Sequence, residues 1–458
     1  MPNAFQAFRT AHEPCSSQLS TTARQASART LAGCAPLLQR CSSARGNPFS
    51  TPMGGRQSKA PAAASPATPQ AGAGFLQLEP YSPPAWASHV PLVPASRFRL
   101  GMLPTPTHEW RLPGLPEGIR LLIKRDDLSG MQMSGNKVRK LEFLMAEAVQ
   151  GGYDCVVTIG GIQSNHARAT AVAARYLGLD CHLILRTSRQ AVDSDPGLVG
   201  NLLVERMAGA QLHLVTKEEY GTMGSGPLLE QLRLELAAAG RRPYVIPVGG
   251  SSPLGVWGYL EAVHEILQQV QSSPLLRELG PITDIAMACG SGGTTAGLAL
   301  GSALSPLGAR VHAYGVCDTP NYFYDYINGL LEGLGAKPGG ELLGGREARG
   351  MMRAVQARGS GYAISTESEL RTVQEVSAAT GVVLDPVYSG KAVHALLAEI
   401  RSNPAEWRGR TVLFVHTGGL LGMYDKLDQL GPLVQKHGPP VVRMQVPEAS
   451  VRQPVQSS

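Results

Sequence analysis

A lysine after a Gly-Asn turn is the residue of this 458-residue chain best suited to covalent chemistry. Lys137 lies in the segment SGNKVRKLEF, residues 134–143, at the expected start of a helix. The positive end of the helix dipole and partial burial both oppose protonation of its amine. A neutral lysine amine is the nucleophile that forms an imine with a carbonyl compound. Alternatively, Lys137 is an ordinary exposed lysine. We expect its neighbours Arg139 and Lys140 to lie on a solvated face.

A second polar cluster follows a predicted strand in TIGGIQSNHARA, residues 158–169. Ser164, Asn165 and His166 open a helix there, and the free backbone N–H groups of that end can receive a carboxylate. Hydroxyl, amide and imidazole side chains can hold a polar ligand. The structural alternative is plain N-capping by Ser164 or Asn165.

A glycine loop in ACGSGGTTAGLALG, residues 288–301, also connects a strand to a helix. Glycines let backbone N–H groups close around a phosphate, and the helix dipole favours its charge. A dinucleotide fingerprint is disfavoured because Thr295 stands where the third glycine would be, and the Lys-Ser/Thr of a P-loop is absent.

Two further polar ends occur in LDPVYSGKA (384–392) and FVHTGGLLG (414–422). Turns and strand ends with capping hydroxyls are the structural alternative for both. The polar residues are Tyr388, Ser389, His416 and Thr417.

Short apolar runs that alternate with helical patterns must position these residues. Continuous apolar runs are typical of strands covered on both faces, and their alternation with helices predicts parallel sheets wrapped by helices. Ligands are then expected at the carboxyl ends of the strands. The predicted strands are 155–161, 182–187, 211–215, 244–250, 284–290, 311–316 and 412–419. The predicted helices are 137–150, 167–178, 227–240, 255–271, 367–381 and 390–403.

The part of the chain that follows residue 78 is too long to fold around a single hydrophobic core. Its length predicts two α/β domains with a site between them. We assign a large domain to residues 79–141 and 250–432 and a small one to 142–249. Residues 433–458 are expected to form a flexible tail.

The charge of the chain lies in its leader. Residues 1–78 hold seven basic residues and one acidic residue, which leaves 34 of each sign in the remainder. A neutral body argues against nucleic-acid binding. Ala, Ser, Thr, Pro and scattered Arg are typical of an organellar transit peptide, mitochondrial in preference to chloroplast, with plain disorder as the alternative. No apolar segment has the character of a membrane span.

The cysteines show no C-x-x-C spacing, so a zinc ribbon, a thioredoxin motif or another metal site is not expected. Four of the seven lie in or beside apolar runs, where a buried small hydrophobe is the expected role. These are Cys155, Cys181, Cys289 and Cys317. We infer a reducing compartment without disulfides.

A phosphate loop, a lysine at a helix start and a carboxylate receptor together suit pyridoxal 5'-phosphate bound to an amino acid. The segments LPTPTHEW, LIKRDDLSGMQMSGNKVRKLEFLMAEA, TIGGIQSNHARATAVAARYLGL and HLILRTS carry a specific resemblance. In these segments the chain resembles the D-cysteine desulfhydrase and 1-aminocyclopropane-1-carboxylate (ACC) deaminase branch of the tryptophan synthase β-like, fold type II, pyridoxal phosphate enzymes. The resemblance covers about residues 81–430. It implies two parallel-sheet three-layer domains and a homodimer.

The resemblance also implies roles for individual residues. Lys137 would hold the cofactor covalently and later move the α-proton. Asn165 would bond the 3-hydroxyl oxygen of the cofactor and lie against the substrate. Ser164 and His166 would receive the substrate carboxylate, and Ser164 would also take part in catalysis.

The remaining implied roles concern the cofactor's phosphate and ring. The phosphate loop would consist of Gly290, Ser291, Gly292, Gly293 and Thr294. Tyr388 and Tyr362 would be active-site tyrosines, and Thr417 would face the pyridine nitrogen. A hydroxyl there does not hold the nitrogen protonated, which favours prompt loss of a leaving group from Cβ.

The implied reaction is elimination from D-cysteine: removal of the α-proton, loss of sulfide, and hydrolysis to pyruvate and ammonia. ACC deaminases read DPVYEG where this chain reads DPVYSG, so Ser389 is expected to contact substrate and to favour the desulfhydrase. The alternatives are ACC deamination, another amino-acid β-lyase reaction, and a non-catalytic protein that binds a phosphorylated ligand.

Overall fold

The computed structural model describes residues 74–445, so the predictions for residues 1–73 and 446–458 lie outside the described residues. The strands are β1 (Leu78–Pro80), β2 (Ser96–Phe98), β3 (Thr107–Glu109), β4 (Arg120–Lys124), β5 (Cys155–Gly161), β6 (Asp180–Thr187), β7 (Gln211–Thr216), β8 (Pro243–Val245), β9 (Asp284–Cys289), β10 (Arg310–Gly315), β11 (Met352–Gln356) and β12 (Thr411–Val415). The helices are α1 (Lys137–Gln150), α2 (Asn165–Tyr176), α3 (Arg189–Val192), α4 (Asn201–Met207), α5 (Lys217–Met223), α6 (Ser225–Ala238), α7 (Pro253–Ser272), α8 (Pro274–Glu278), α9 (Gly293–Leu304), α10 (Pro320–Gly333), α11 (Ala348–Met351), α12 (Glu367–Thr380), α13 (Ser389–Ser402), α14 (Pro404–Trp407), α15 (Leu420–Met423) and α16 (Leu427–His437).

The larger sheet has six strands in the order β11-β10-β9-β12-β4-β3. All neighbours run parallel except β3, which pairs with β4 in the antiparallel sense. The smaller sheet has the order β7-β6-β5-β8 and is parallel throughout. The short strands β1 and β2 form a separate antiparallel pair.

Both larger sheets are covered on two faces, as continuous apolar strands require. In β9, Ile285 and Met287 pack into one hydrophobic cluster with α7 and α9, whereas Ala286 packs into another with α13. In the smaller sheet, Val156 and Val157 likewise belong to clusters on opposite faces. The predicted α/β fold with parallel sheets in three layers is therefore confirmed.

Several elements differ from the sequence prediction. The strand predicted over 244–250 ends at Val245, and a 3₁₀ turn covers Val248–Gly250. Residue 433 was predicted to begin a tail, but α16 continues to His437. The strands of the smaller sheet lie within 142–249 and those of the larger sheet outside it; the domain boundaries themselves remain a prediction.

Two sequence interpretations concern membranes and cysteines. No helix within residues 74–445 is both long and apolar enough to cross a bilayer.

Cys155, Cys181 and Cys289 are free and buried, as predicted. Cys317 is only half-buried, and its thiol donates to Gly290 O at 3.1 Å.

Candidate active site

Loops at the carboxyl ends of strands from both sheets meet around the start of α1. The Asn136 side chain donates from Nδ2 to Thr294 Oγ1 at 3.0 Å, which ties α1 to the glycine loop after β9. Its backbone N–H donates to Thr417 O at 3.1 Å, which ties α1 to the loop after β12. The carboxyl ends of parallel strands are where such folds place their ligands.

Lys137 is the first residue of α1 and is half-buried in this junction. Its Nζ donates to Gly249 O at 3.4 Å. Burial lowers the pKa of Lys137 to about 8, which leaves a fraction of the amine neutral near physiological pH. Gly249 has φ +65°, and a methyl group added there would lie 2.8 Å from Ser291 Cβ. A side chain on residue 249 would therefore displace the glycine loop.

The prediction that Arg139 and Lys140 lie on a solvated face is wrong, because each is only 1% exposed. Lys140 Nζ donates to Gly249 O at 3.1 Å and to Ser251 Oγ at 3.3 Å. Burial, and then the neighbouring Lys137, lowers the pKa of Lys140 well below its ordinary value. Within residues 74–445 this amine has no carboxylate partner. An anion bound beside it would supply the missing opposite charge.

The glycine loop packs closely around the same point. Ser251 Oγ donates to Ser291 Oγ at 2.9 Å and accepts from Gly293 N at 3.1 Å. A methyl group added to Gly293 would lie 2.8 Å from Lys140 Nζ, so a glycine is required for this close approach. The first N–H groups of α9 and the Lys140 amine thus converge, which is the donor set a phosphate needs.

Ser164 and Asn165 stand at the start of α2. Ser164 is the N-cap, and its Oγ accepts from Ala167 N at 3.1 Å, so the predicted capping alternative is real. The hydroxyl proton of Ser164 is donated to no group in residues 74–445 and can therefore bind a ligand. Asn165 accepts at Oδ1 from Asn201 Nδ2 at 3.0 Å, whereas its own Nδ2 donates to no group in residues 74–445.

The His166 side chain is buried and lies 3.0 Å, at Nε2, from Thr158 Oγ1. Thr158 donates its own proton to Ile246 O, so His166 Nε2 must carry a hydrogen and Nδ1 must be an acceptor. Burial, then the amines of Lys137 and Lys140, lowers the pKa of His166 well below its ordinary value. This neutral imidazole has no N–H left to donate to a carboxylate, because its one hydrogen is bonded to Thr158. Of the donors of His166, only the backbone N–H, in the first turn of α2, can therefore bind the substrate carboxylate.

Tyr362 and Tyr388 form a hydroxyl pair with 2.5 Å between their oxygens. Burial, and then Tyr362, raises the pKa of Tyr388 well above its ordinary value, and burial raises that of Tyr362. Both phenols therefore hold their protons at neutral pH. A methyl group on Gly290 would lie 3.0 Å from Tyr388 Cε1, which places this ring against the glycine loop.

The prediction that Ser389 contacts substrate is wrong for this structure, because Ser389 is 0% exposed. Its Oγ donates to Asp385 Oδ1 at 2.6 Å and accepts from Asp385 N at 2.9 Å. The serine closes the turn before α13 instead of facing the site.

Thr417 and His416 follow β12. His416 is buried and lies 3.1 Å, at Nε2, from Val383 O, so its imidazole serves the loop structure. The Thr417 hydroxyl makes no hydrogen bond to another residue of 74–445, and it remains available to an acceptor. A methyl group on Gly135 would lie 2.7 Å from Thr417 O. The two loops are therefore in direct backbone contact beside Lys137.

Pyridoxal 5'-phosphate fits this donor set. Lys137 offers an amine, the α9 terminus with Lys140 offers a phosphate site, and Asn165 offers an amide donor that no group of residues 74–445 accepts. Sequence reasoning missed Lys140 and Ser251. Lys140 stands three residues after Lys137 and thus on the same side of α1, which was the available signal.

Comparison with known proteins supports the same cofactor. A family model described as "Pyridoxal-phosphate dependent enzyme" matches residues 99–418. The chain is 56% identical over 362 residues to the mitochondrial bifunctional D-cysteine desulfhydrase/ACC deaminase of Arabidopsis thaliana, covering 79% of this chain and 88% of that protein. It is 34% identical over 348 residues to the D-cysteine desulfhydrase of Salmonella newport, covering 73% of this chain and 98% of that protein.

A solved structure described as an ACC deaminase homologue shares the fold, with a TM-score of 0.61 and 33% identity. The match covers 76% of this chain and 98% of that one. The sequence resemblance is thereby confirmed: the chain belongs to the family of pyridoxal-phosphate dependent enzymes.

Proposed function

We propose that this protein eliminates sulfide from D-cysteine, with pyruvate, hydrogen sulfide and ammonia as products. The observation that carries the proposal is the glycine loop, which packs against Gly249, the acceptor of the Lys137 amine, on one side and against a protonated tyrosine pair on the other. Elimination needs a base for the α-proton and an acid for the departing sulfur. Relatives named D-cysteine desulfhydrase support this choice of substrate.

Bound pyridoxal phosphate supplies an electron sink that makes the α-proton of an attached amino acid acidic. Lys137 takes that proton at Nζ, since burial lowers the pKa of this amine to about 8. The free hydroxyl of Ser164 and the first N–H groups of α2 receive the carboxylate.

The other end of the substrate faces the tyrosines. Tyr388 and Tyr362 share one short hydrogen bond and remain protonated, so one of them donates its proton to the leaving sulfur. The Thr417 hydroxyl would bond the ring nitrogen of the bound cofactor, and a hydroxyl does not hold that nitrogen protonated as a carboxylate would. This weaker electron withdrawal favours rapid loss of the leaving group.

ACC deamination is the second candidate, because the Arabidopsis relative is named for both activities. The sequence argument against it relied on Ser389, and the burial of this serine removes a direct contact with either substrate. Membership of an enzyme family leaves the non-catalytic phosphate-binding alternative without support.

The deciding experiment compares substrates on the purified holoprotein. Sulfide and pyruvate release are measured with D-cysteine, L-cysteine and D-serine, and 2-oxobutyrate release with ACC. We expect D-cysteine to have the highest kcat/KM. Lys137→Ala should abolish turnover and the visible, borohydride-sensitive absorbance, whereas the exposed Lys337→Ala should retain both. Dominant turnover of ACC or L-cysteine would refute the proposal.

We also propose mitochondrial import directed by residues 1–78 and assembly as a homodimer. The basic, Arg- and Ser-rich leader and the mitochondrial designation of the Arabidopsis relative support the first. A fluorescent protein fused to residues 1–78 should accumulate in mitochondria; accumulation in chloroplasts would favour the alternative. Light scattering should give twice the mass of one chain, and a monomer would contradict the dimer.

A further inference from the structure

A relay of three side chains runs from the loop before α1 to the start of α2. Arg168 is 1% exposed, and its Nε donates to Asn201 Oδ1 at 3.0 Å. Asn201 is 0% exposed, and its Nδ2 donates to Asn165 Oδ1 and to Gln163 O, each at 3.0 Å. Every polar atom of the Asn201 amide therefore has a partner.

The chemistry of arginine fixes the direction of this relay. A guanidinium has only donors, so the Asn201 atom that faces Arg168 must be its oxygen. The Asn201 NH₂ group must then point at Asn165, and the Asn165 atom that meets it must be Oδ1. The Asn165 NH₂ group is consequently turned away from Asn201, and it donates to no other group in residues 74–445.

The same guanidinium holds the loop that leads to Lys137. Arg168 Nη2 donates to Ser134 O at 3.0 Å, and Nη1 donates to Gln132 O. Arg168 thus bonds both to the loop that carries the covalent lysine and, through Asn201, to the amide of Asn165.

The glycine before Asn201 allows the chain to pack closely enough to place Asn201 beside Asn165. Gly200 has φ +60°, and a methyl group there would lie 2.5 Å from Gln163 Oε1 and 2.6 Å from Leu421 O. Gln163 Oε1 also accepts from Asn201 N at 2.9 Å. Only glycine admits this close approach, which seats Asn201 as the first residue of α4.

We propose that Asn201, oriented by Arg168, is a positioning residue that compels Asn165 to present an N–H donor, not a carbonyl oxygen, to the 3-oxygen of pyridoxal phosphate. This inference rests on the proposed function and on the role at that oxygen which the family resemblance implies for Asn165. A donor stabilises the ionised oxygen, whereas an acceptor stabilises the protonated hydroxyl. The relay therefore sets the ionisation state of the bound cofactor.

Asn201→Asp tests the relay with little change in shape. The carboxylate still accepts from Arg168 but cannot donate to Asn165, so it should draw the Asn165 NH₂ group toward itself. The Asn165 oxygen would then face the cofactor. The loss of this donor should favour the protonated 3-hydroxyl over the ionised oxygen. We expect the ratio of visible to near-ultraviolet absorbance of the resting holoprotein to fall by about tenfold, which corresponds to the free energy of one hydrogen bond.

Two further variants make the result decisive. Asn201→Ala removes the donor without adding charge and should shift the ratio in the same direction by a smaller factor. Asn328→Asp is the matched control: Asn328 accepts from Ala348 N at 2.9 Å in α10, and its substitution should leave the spectrum unchanged. Thermal unfolding of all three measures the purely structural cost.

An unchanged absorbance ratio in Asn201→Asp would overturn the proposal, as would a shift seen in the Asp variant and not in the Ala variant. If the Asp variant fails to fold or to bind cofactor, Asn201→Ala decides alone, and an unchanged ratio again overturns it. The spectra are recorded without substrate. A failure to release sulfide from D-cysteine would therefore refute the proposed function and leave the relay standing.

Discussion

Glu205 is a buried carboxyl that should make the stability of the folded chain fall as the pH rises. It lies in α4, is 0% exposed, and neither carboxyl oxygen has a hydrogen-bond partner in residues 74–445. Burial raises the pKa of Glu205 to about 8, although the charge of nearby Arg168 acts in the opposite direction. The thiol of Cys181 also lies close enough to sense its charge.

The sign follows from proton counting. In the unfolded chain a glutamate titrates near 4.5, so between pH 4.5 and 8 the folded chain holds a proton that the unfolded chain has released. The free energy of unfolding therefore decreases with rising pH in this window, by about 1.4 kcal/mol per pH unit. Below pH 4.5 the carboxyl is neutral in both states, and above pH 8 the full cost is present.

Glu205→Gln removes this titration at almost constant volume. Between pH 5 and pH 8 we expect the unfolding free energy of the variant to rise relative to the wild type by about 4 kcal/mol, with no further change above pH 8. Urea unfolding of the two holoproteins at several pH values measures the difference. Burial also raises the pKa of Glu142 to about 7. Glu142 titrates in both proteins, so its contribution cancels from the difference in unfolding free energy.

Glu278→Gln serves as the control, because Glu278 is exposed at the end of α8 and its variant should follow the wild type at every pH. Parallel stability profiles for the wild type and Glu205→Gln would refute the argument. A wild type that gains stability relative to the variant as the pH rises toward 4.5 would show instead that Arg168 holds the carboxylate charged.

Three further predictions concern the site. Lys140→Met should weaken cofactor binding by about 10- to 100-fold, since a hydrogen bond to a charged group is lost; equilibrium dialysis measures this, and an unchanged affinity would show that Lys140 does not serve the phosphate. Tyr388→Phe should lower kcat by about 100-fold through loss of the hydroxyl bonded to Tyr362, and unchanged steady-state kinetics would exclude this pair as the acid. Ser389→Glu should lower the unfolding free energy by more than about 3 kcal/mol, because it forces a second carboxylate against Asp385 in a buried turn. A folded variant with raised ACC turnover would contradict that expectation and restore the sequence argument.

The sequence predicted most of the strands that lie in the interior of a parallel sheet, although it omitted β4. β5, β9 and β12 are covered on both faces, so apolar residues follow one another along each strand. Such short continuous apolar runs are typical of buried parallel strands. β11 lies at the edge of its sheet and contains Arg353. Such a strand carries no continuous apolar run, and the sequence prediction omitted it.

The glycine loops of the site were also predictable, because close approach of backbone to ligand leaves few residue types available. The relay through Asn201 was not, since its partners lie 33 and 36 residues away in the chain. Nothing in the local pattern of GNLLVERM distinguishes a buried amide from a helix cap.

Arg139 shows why a charged helix face was misjudged and what its burial does for catalysis. Its guanidinium bonds Asp126 at 2.8 Å and Glu265 at 2.9 Å, and the Tyr259 hydroxyl donates to the same aspartate. Burial alone would raise the pKa of Asp126, but the charge of Arg139 holds it below its ordinary value. Removal of Arg139 would leave the buried Asp126 without its salt-bridge partner, which costs about 3–5 kcal/mol.

Because breaking these ion pairs is costly, the cluster of Arg139, Asp126, Glu265 and Tyr259 constrains the orientation of α1. Tyr259 and Glu265 belong to α7, whereas Asp126 follows β4, so Arg139 fixes α1 against two elements at once. Rotation of α1 about its axis would separate the guanidinium from both carboxylates. Lys137 lies two residues earlier on the same helix, about half a turn from Arg139. The cluster therefore holds the amine of Lys137 toward Gly249 O, beside the glycine loop.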